Sequence, residues 1–279
     1  MTIFEDNRIY ILDGAMGTMI QKAGLTEEDY HDGPFAGCVK ELKGNSECLN
    51  LTRPEIIRSI HKEYIAAGVG IIETNTFSAN AISQAEYGCE AFAAQMAYEG
   101  ARIAREAADE AEAMAASVGL ERKVLVAGSM GPTSKSLSLS PDVSDPAFRP
   151  YSFDDMREAY RQQAGELIRG GADVLLLETC FDALNVKAAL AAIQDCNEAD
   201  GAEIPVMISV SVSDRSGRTL TGQTLEAFYT SIMHYPILSF GLNCSLGASD
   251  LMPLIEDVDR WCRCAVSCYP NAGLPNEMG

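Results

Sequence analysis

Short unbroken apolar runs recur along this chain, and longer stretches with apolar residues at helical spacing separate them. The runs are Ile9–Leu12, Ile71–Thr74, Val124–Ala127, Val174–Leu177, Val206–Val210, Leu238–Leu242 and Ala265–Ser267. Continuous aliphatic and β-branched runs, unlike alternating ones, mark strands covered on both faces, as in a parallel sheet. Helical patterns fill the intervals at Pro54–Ala67, Phe92–Ser117, Asp154–Arg169, Phe181–Cys196, Leu225–His234 and Ser249–Trp261. Pro54 behind Thr52 and the acidic pair behind Ser152 are helix-start signals. Ala67-Gly68 and Gly170-Gly171 each precede an apolar run that ends in Glu-Thr, and glycine just past a helix turns the chain back toward a strand. Seven strand–helix units in regular alternation predict an α/β fold with a parallel sheet, open or closed into a barrel.

Length fits one such domain: 279 residues, 47% of them hydrophobic, can bury a single large core. A charged fraction of 22% argues against disorder. With 40 acidic and 21 basic residues the net charge is -19, which disfavours nucleic acid or an anionic membrane as partner. No apolar run is long enough to span a bilayer, and the N-terminus lacks the basic, apolar and cleavage segments of a signal peptide. Nine scattered cysteines without such a signal point to a reducing compartment, so a cytoplasmic location is expected. No linker divides the chain. The polar, proline-bearing stretch from Ser129 to Pro150 follows a strand and is expected to be an active-site loop.

In an α/β barrel the reacting groups sit where strands end. The first run ends in Asp13-Gly14-Ala15-Met16-Gly17-Thr18, the second in Glu73-Thr74-Asn75, the third in Gly128-Ser129-Met130-Gly131-Pro132 and the fourth in Glu178-Thr179-Cys180. The last two end in Asn243-Cys244-Ser245 and Cys268-Tyr269-Pro270-Asn271. Asp13 fits a cap or turn as well as a functional role. Gly14 and Gly17 bare backbone N–H groups that suit a carboxylate or phosphate, or serve only a turn. Glu73 and Glu178 stand at matching points of two units, which favours function over solvation. Cys244, taken alone, reads as a small buried residue.

Taken in order, these motifs resemble the homocysteine S-methyltransferase family. Leu12 to Thr18, Glu73-Thr74-Asn75-Thr76-Phe77, Gly128 to Pro132, Leu177-Glu178-Thr179 and Gly241-Leu242-Asn243-Cys244 carry the likeness. Leu49-Asn50-Leu51-Thr52-Arg53-Pro54, Ser213 to Thr224 and Tyr269 to Pro275 narrow it to the homocysteine-binding N-terminal domain of cobalamin-dependent methionine synthases. The resemblance implies a (β/α)8 TIM-type barrel and zinc-dependent transfer of a methyl group from methylcobalamin to homocysteine, giving methionine. It implies Cys244 as a zinc ligand, because a metal-bound thiolate is the reactive form of the substrate sulfur. It implies Asp13 and Glu178 as partners of the substrate ammonium, and N–H groups around Gly17 and Thr18 as partners of its carboxylate. Asn243 is expected to orient the site, with Glu73 and Asn75 in support.

Partners implied are homocysteine and the folate- and cobalamin-binding modules of the same enzyme. The family places two further zinc-binding cysteines in a Gly-Gly-Cys-Cys motif after its eighth strand, and this sequence has none. The expectation is therefore a single domain over 1–279 with seven of eight units, short by roughly 30 residues for the last strand and helix. Open barrel edges would then favour self-association. Cys180 and Cys268, at strand ends with Cys244, read first as small apolar packing residues, with a substitute metal site from the three as the alternative; His31, His61 and His234 read as surface or packing residues. Two other readings are a sister enzyme using betaine or S-methylmethionine as donor and a non-catalytic fragment.

Overall fold

The computed structural model describes residue 4, residues 8–201 and residues 203–273. Six parallel strands lie side by side in sequence order: β1 (Ile71–Glu73), β2 (Leu125–Met130), β3 (Val174–Cys180), β4 (Val206–Val210), β5 (Ser239–Gly247) and β6 (Ala265–Asn271). Helix α1 (Met16–Lys22) and helix α2 (Pro54–Ala67) precede the sheet. The crossovers are α3 (Ala93–Ser117), α4 (Phe153–Arg169), α5 (Ala183–Asp200), α6 (Leu225–Ile232) and α7 (Ala248–Trp261). The sheet curls into part of a TIM-type barrel.

Local chemistry explains the helix ends. Pro54 occupies the first turn of α2, and Gly68 closes that helix at φ 102°, a left-handed conformation that glycine adopts without a Cβ clash. Ser152 and Asp155 form a reciprocal capping box at the start of α4. Asp182 caps α5 and Thr224 caps α6 by accepting backbone N–H groups. Strands β2 and β4 are buried along their whole length, as expected for strands covered by helices on one side and barrel contents on the other.

Two differences from the sequence expectation matter for function. The run Ile9–Leu12 makes a single parallel bridge, Leu12 to Ile71, where a full strand was expected. Ile9 is 90% and Ile11 61% exposed, so nothing on the outer face holds that run in a longer ladder. The opposite holds for β2, β3, β5 and β6, which extend past their apolar runs into the polar residues behind them. Backbone pairing continues there because neighbouring strands supply partners: Asn243 pairs with Tyr269 and Cys180 with Val210. The polar strand ends are therefore part of the sheet, held more rigidly than loops.

Gly241 of β5 pairs with Ser267 of β6. A Cβ there would lie 1.8 Å from the Ser267 carbonyl oxygen, and backbone cannot rotate away. Gly241→Ala is expected to cost about 3 kcal/mol or more, read as a lower denaturation midpoint with an unchanged slope. An unaffected midpoint would mean that this pairing is looser than described.

Candidate active site

The strand ends converge on one open cavity of about 830 Å³. Asp13, Glu47, Glu73 and Glu178 line it together with the thiols of Cys244 and Cys268, and no Lys, Arg or His is among its described lining residues. The wall therefore carries acids with no basic side chain to neutralise them.

Three of these acids act on one another. Asp13 Oδ2 accepts the Glu73 backbone N–H at 3.0 Å, which docks the end of the first segment on β1. Its Oδ1 is buried and has no hydrogen-bond partner, although the residue as a whole is half-buried. Glu178 is held from both sides: Ser129 Oγ donates to Oε1, and the Tyr269 hydroxyl donates to Oε2 at 3.4 Å. Burial pushes the Asp13 carboxyl up to about 8; the Glu73 N–H opposes this and the Glu178 charge adds to it. Burial raises Glu73 well above the usual carboxylate range, with Glu178 and Asp13 adding to the rise. Glu178 is raised by burial as well, against the pull of the Ser129 and Tyr269 hydroxyls.

Backbone strain gathers at the same place. Thr179, Cys244 and Ser245 are the non-glycine residues with positive φ among the described ones, at 57°, 47° and 53°. Such conformations cost on the order of 1 kcal/mol each and persist only where the surroundings fix them. Asn243 does the fixing. Its Oδ1 accepts the Thr179 N–H at 3.0 Å and the Ser209 hydroxyl at 2.7 Å, and its Nδ2 donates to Thr179 Oγ1 at 2.8 Å. One amide thus ties together the ends of β3, β4 and β5, next to irregular registers on β3 and β5. Cys244 sits just beyond, its Sγ 3.5 Å from Ser211 Oγ.

Asn75 also lines the cavity, but its amide is committed elsewhere: Nδ2 donates to the Ser46 carbonyl at 2.8 Å and to Asn50 Oδ1 at 2.9 Å. Asn50 in turn donates to the Asn75 and Met96 carbonyls. This pair fixes the chain below Ser46 and Glu47, whose own carboxylate accepts the Ser78 N–H at 2.7 Å. Gly17 reaches the cavity, whereas Thr18 is exposed and outside its lining. Both lie in the first turn of α1, where backbone N–H groups have no intrahelical acceptor.

Sequence reading missed Ser129 as a partner of Glu178, and missed Glu47 entirely. Its place two residues before the Leu49–Pro54 motif was the available signal for Glu47. The stretch from Ser129 to Pro150 was expected to be an active-site loop; Ser129 lines the cavity from within β2, but no residue from 131 to 150 does. Asp182 accepts the Ser136 and Ser138 hydroxyls, and Arg149 donates to the Leu137 and Ser138 carbonyls, so the loop is pinned against the start of α5. Leu274 and Pro275 of the last motif fall outside the described residues. Of the histidines, His31 pairs with Glu27, His61 is fully buried and His234 packs on Tyr235.

The metal expectation finds little support in the donor set. Cys244 and Cys268 line the cavity and Cys180 is buried, but among the described residues no three His, Cys, Asp or Glu side chains are grouped to hold a metal ion. These residues by themselves do not fit a zinc centre.

Comparison with known proteins places this geometry. The family model described as homocysteine S-methyltransferase matches residues 10–279. The homocysteine methyltransferase MmuM from Escherichia coli, in its metallated form, is 21% identical with a TM-score of 0.73 and covers 96% of this chain and 85% of its own. Its oxidized form is 23% identical with a TM-score of 0.74, covering 96% and 84%. At these identities the structural likeness shows the fold. No helix among the described residues is long and apolar enough to cross a membrane.

The raised carboxyls make stability pH-dependent with a definite sign. Asp13 ionises near 3.8 when unfolded and near 8 when folded, so between these values the folded chain holds the extra proton. Its contribution is fully present below the lower value and lost as pH rises through the upper one. Denaturation midpoints of the ligand-free protein should fall between about pH 4 and about pH 8, and Asp13→Asn should flatten that fall. Equal slopes in the two proteins would contradict the assigned shift.

Proposed function

The chain belongs to the homocysteine S-methyltransferase family, a family of methyltransferases, and we propose that it holds homocysteine by its ammonium group in the carboxylate-lined mouth and presents the thiol for methylation to methionine. The observation that carries this reading is the buried, partnerless Asp13 Oδ1 in a cavity with acids and no basic lining residue. A buried acceptor without a donor costs about 1–3 kcal/mol. A primary ammonium supplies three donors and one positive charge, which answers both deficits.

In this account Asp13 and Glu178 take the ammonium. Glu73, with its strongly raised carboxyl, keeps a proton, so that the mouth does not carry three full negative charges once the cation is in place. Ser129 and Tyr269 aim Glu178, and Asn243 and Asn75 are positioning residues that hold the strand ends and the segment around Ser46. The free N–H groups at Gly17 and Thr18 are the proposed partners of the substrate carboxylate. Methylation forms the sulfur–carbon bond, breaks the bond between the methyl group and its carrier, and releases the thiol proton to solvent.

The donor we favour is methylcobalamin, carried with folate by other modules. The support is the resemblance of Asn50-Leu51-Thr52-Arg53-Pro54 and Ser213 to Thr224 to the cobalamin-dependent members. Zinc, when bound, would lower the pKa of the substrate thiol. Cys244 is its proposed ligand, and the remaining donors would have to come from outside the described residues. Zinc content per chain, with and without Cys244→Ala, tests that part separately.

Titration calorimetry tests the central reading. Homocysteine should bind the unaltered chain and bind Asp13→Asn and Glu178→Gln at least about tenfold more weakly, a loss of about 1.4 kcal/mol. The analogue lacking the amino group should not bind measurably. Equal affinity for that analogue would overturn the ammonium assignment. Turnover with methylcobalamin, betaine and S-methylmethionine compared side by side identifies the donor.

A further inference from the structure

At the end of the sheet opposite the cavity, where α7 passes into β6, two thiols stand face to face. Cys262 is the residue that closes α7, its N–H still bonded to the Val258 carbonyl at 2.9 Å. Cys264 immediately precedes β6. Their Sγ atoms are 3.4 Å apart, and both residues are half-buried rather than sealed in the core. Between them the Arg263 N–H donates to the Tyr229 hydroxyl at 3.2 Å. The Tyr229 ring is itself wedged between Phe240 and Trp261, with centroids at 5.1 Å and 5.5 Å. An aromatic floor therefore anchors the short link and holds the two sulfurs together. Another close sulfur pair, Cys38 and Cys89, is wider at 4.0 Å, and Cys89 is fully buried.

We propose that Cys262 and Cys264 form a redox-active dithiol, a modification site separate from the methyltransferase mouth, that exchanges with low-molecular-weight disulfides to close a Cys262–Cys264 disulfide. Cys262 is the attacking sulfur. The hydrogen bond it shares with Cys264, across which either sulfur can donate, holds its pKa down at about 6; burial opposes this, and the Tyr229 hydroxyl assists. Cys264 is shifted the other way by the same contact and keeps its proton. The thiolate of Cys262 attacks one sulfur of the small disulfide, forms a mixed disulfide and expels one thiolate. Cys264 then gives up its proton and attacks Cys262 Sγ, expelling the second. Two protein thiols lose two electrons in all; the small disulfide gains them and leaves as two thiols that take up the protons. The closed ring would stiffen the entry to β6, the strand whose far end carries Tyr269 to Glu178.

The whole chain, incubated with oxidised glutathione and then alkylated, tests this. Trypsin cleaves after Arg263 and so separates the two thiols; only a disulfide keeps their peptides joined. The expected result is that joined pair, formed while Cys244 and Cys268 still alkylate. Before oxidation, Cys262 should alkylate about tenfold or more faster than Cys268 at neutral pH. Cys264→Ser should stop at the mixed disulfide on Cys262, which shows the order of attack without requiring the ring. A first disulfide at Cys38–Cys89, or no internal disulfide with Cys262 no faster than Cys268, would overturn the proposal.

Discussion

Burying carboxylates is costly unless a proton or a cation accompanies them, and Asp13, Glu73 and Glu178 share one cavity whose described wall has no basic residue. The empty protein meets the cost with protons, which is what the raised carboxyls express. A ligand that brings its own positive charge releases that cost, so the site is selective for cations before any shape is considered. An amino-acid ammonium also fills the open hydrogen-bond position at Asp13 Oδ1. A neutral donor can fill that position but brings no charge, and an anion adds to the repulsion.

Such a site requires strand ends that stay in place while like charges repel. Asn243 ties three strands with one side chain, and the left-handed residues Thr179, Cys244 and Ser245 lie next to it. Asn50 and Asn75 do the equivalent work on the other wall. Neutral amides suit this task because they donate and accept without adding charge to a mouth already overloaded with it. In the proposed account ligand binding and positioning therefore fall to different residues, although the motifs place them side by side.

Much of this was legible in the sequence. Apolar runs from Ile71 onward marked every strand, because parallel strands buried on both faces leave an uninterrupted hydrophobic signature. The family followed from ordered motifs at the strand ends. What the sequence hid has physical reasons. Ile9–Leu12 looks like a strand, but without packing on its outer face it forms one bridge. Glu178, Thr179 and Cys180 stand just past an apolar run, yet β3 continues through them and Cys180 pairs with Val210 of β4. The resemblance implied an orienting role for Asn243 and a supporting one for Asn75, without their contacts. Their positioning role depends on partners distant in sequence, such as Asn50 and Ser209, which periodicity does not reveal. Ser129 was in view within a motif, but its bond to Glu178 is likewise a tertiary fact.

The central claim is that a cationic group replaces protons at the carboxylate mouth. The most direct measurement is titration calorimetry with methionine, which keeps the ammonium and has no thiol proton, near neutral pH in two buffers of different ionisation enthalpy. The account predicts that binding releases protons, seen as an enthalpy that depends on the buffer, and that Asp13→Asn reduces the release. Binding with no proton exchange, or with uptake, would contradict it.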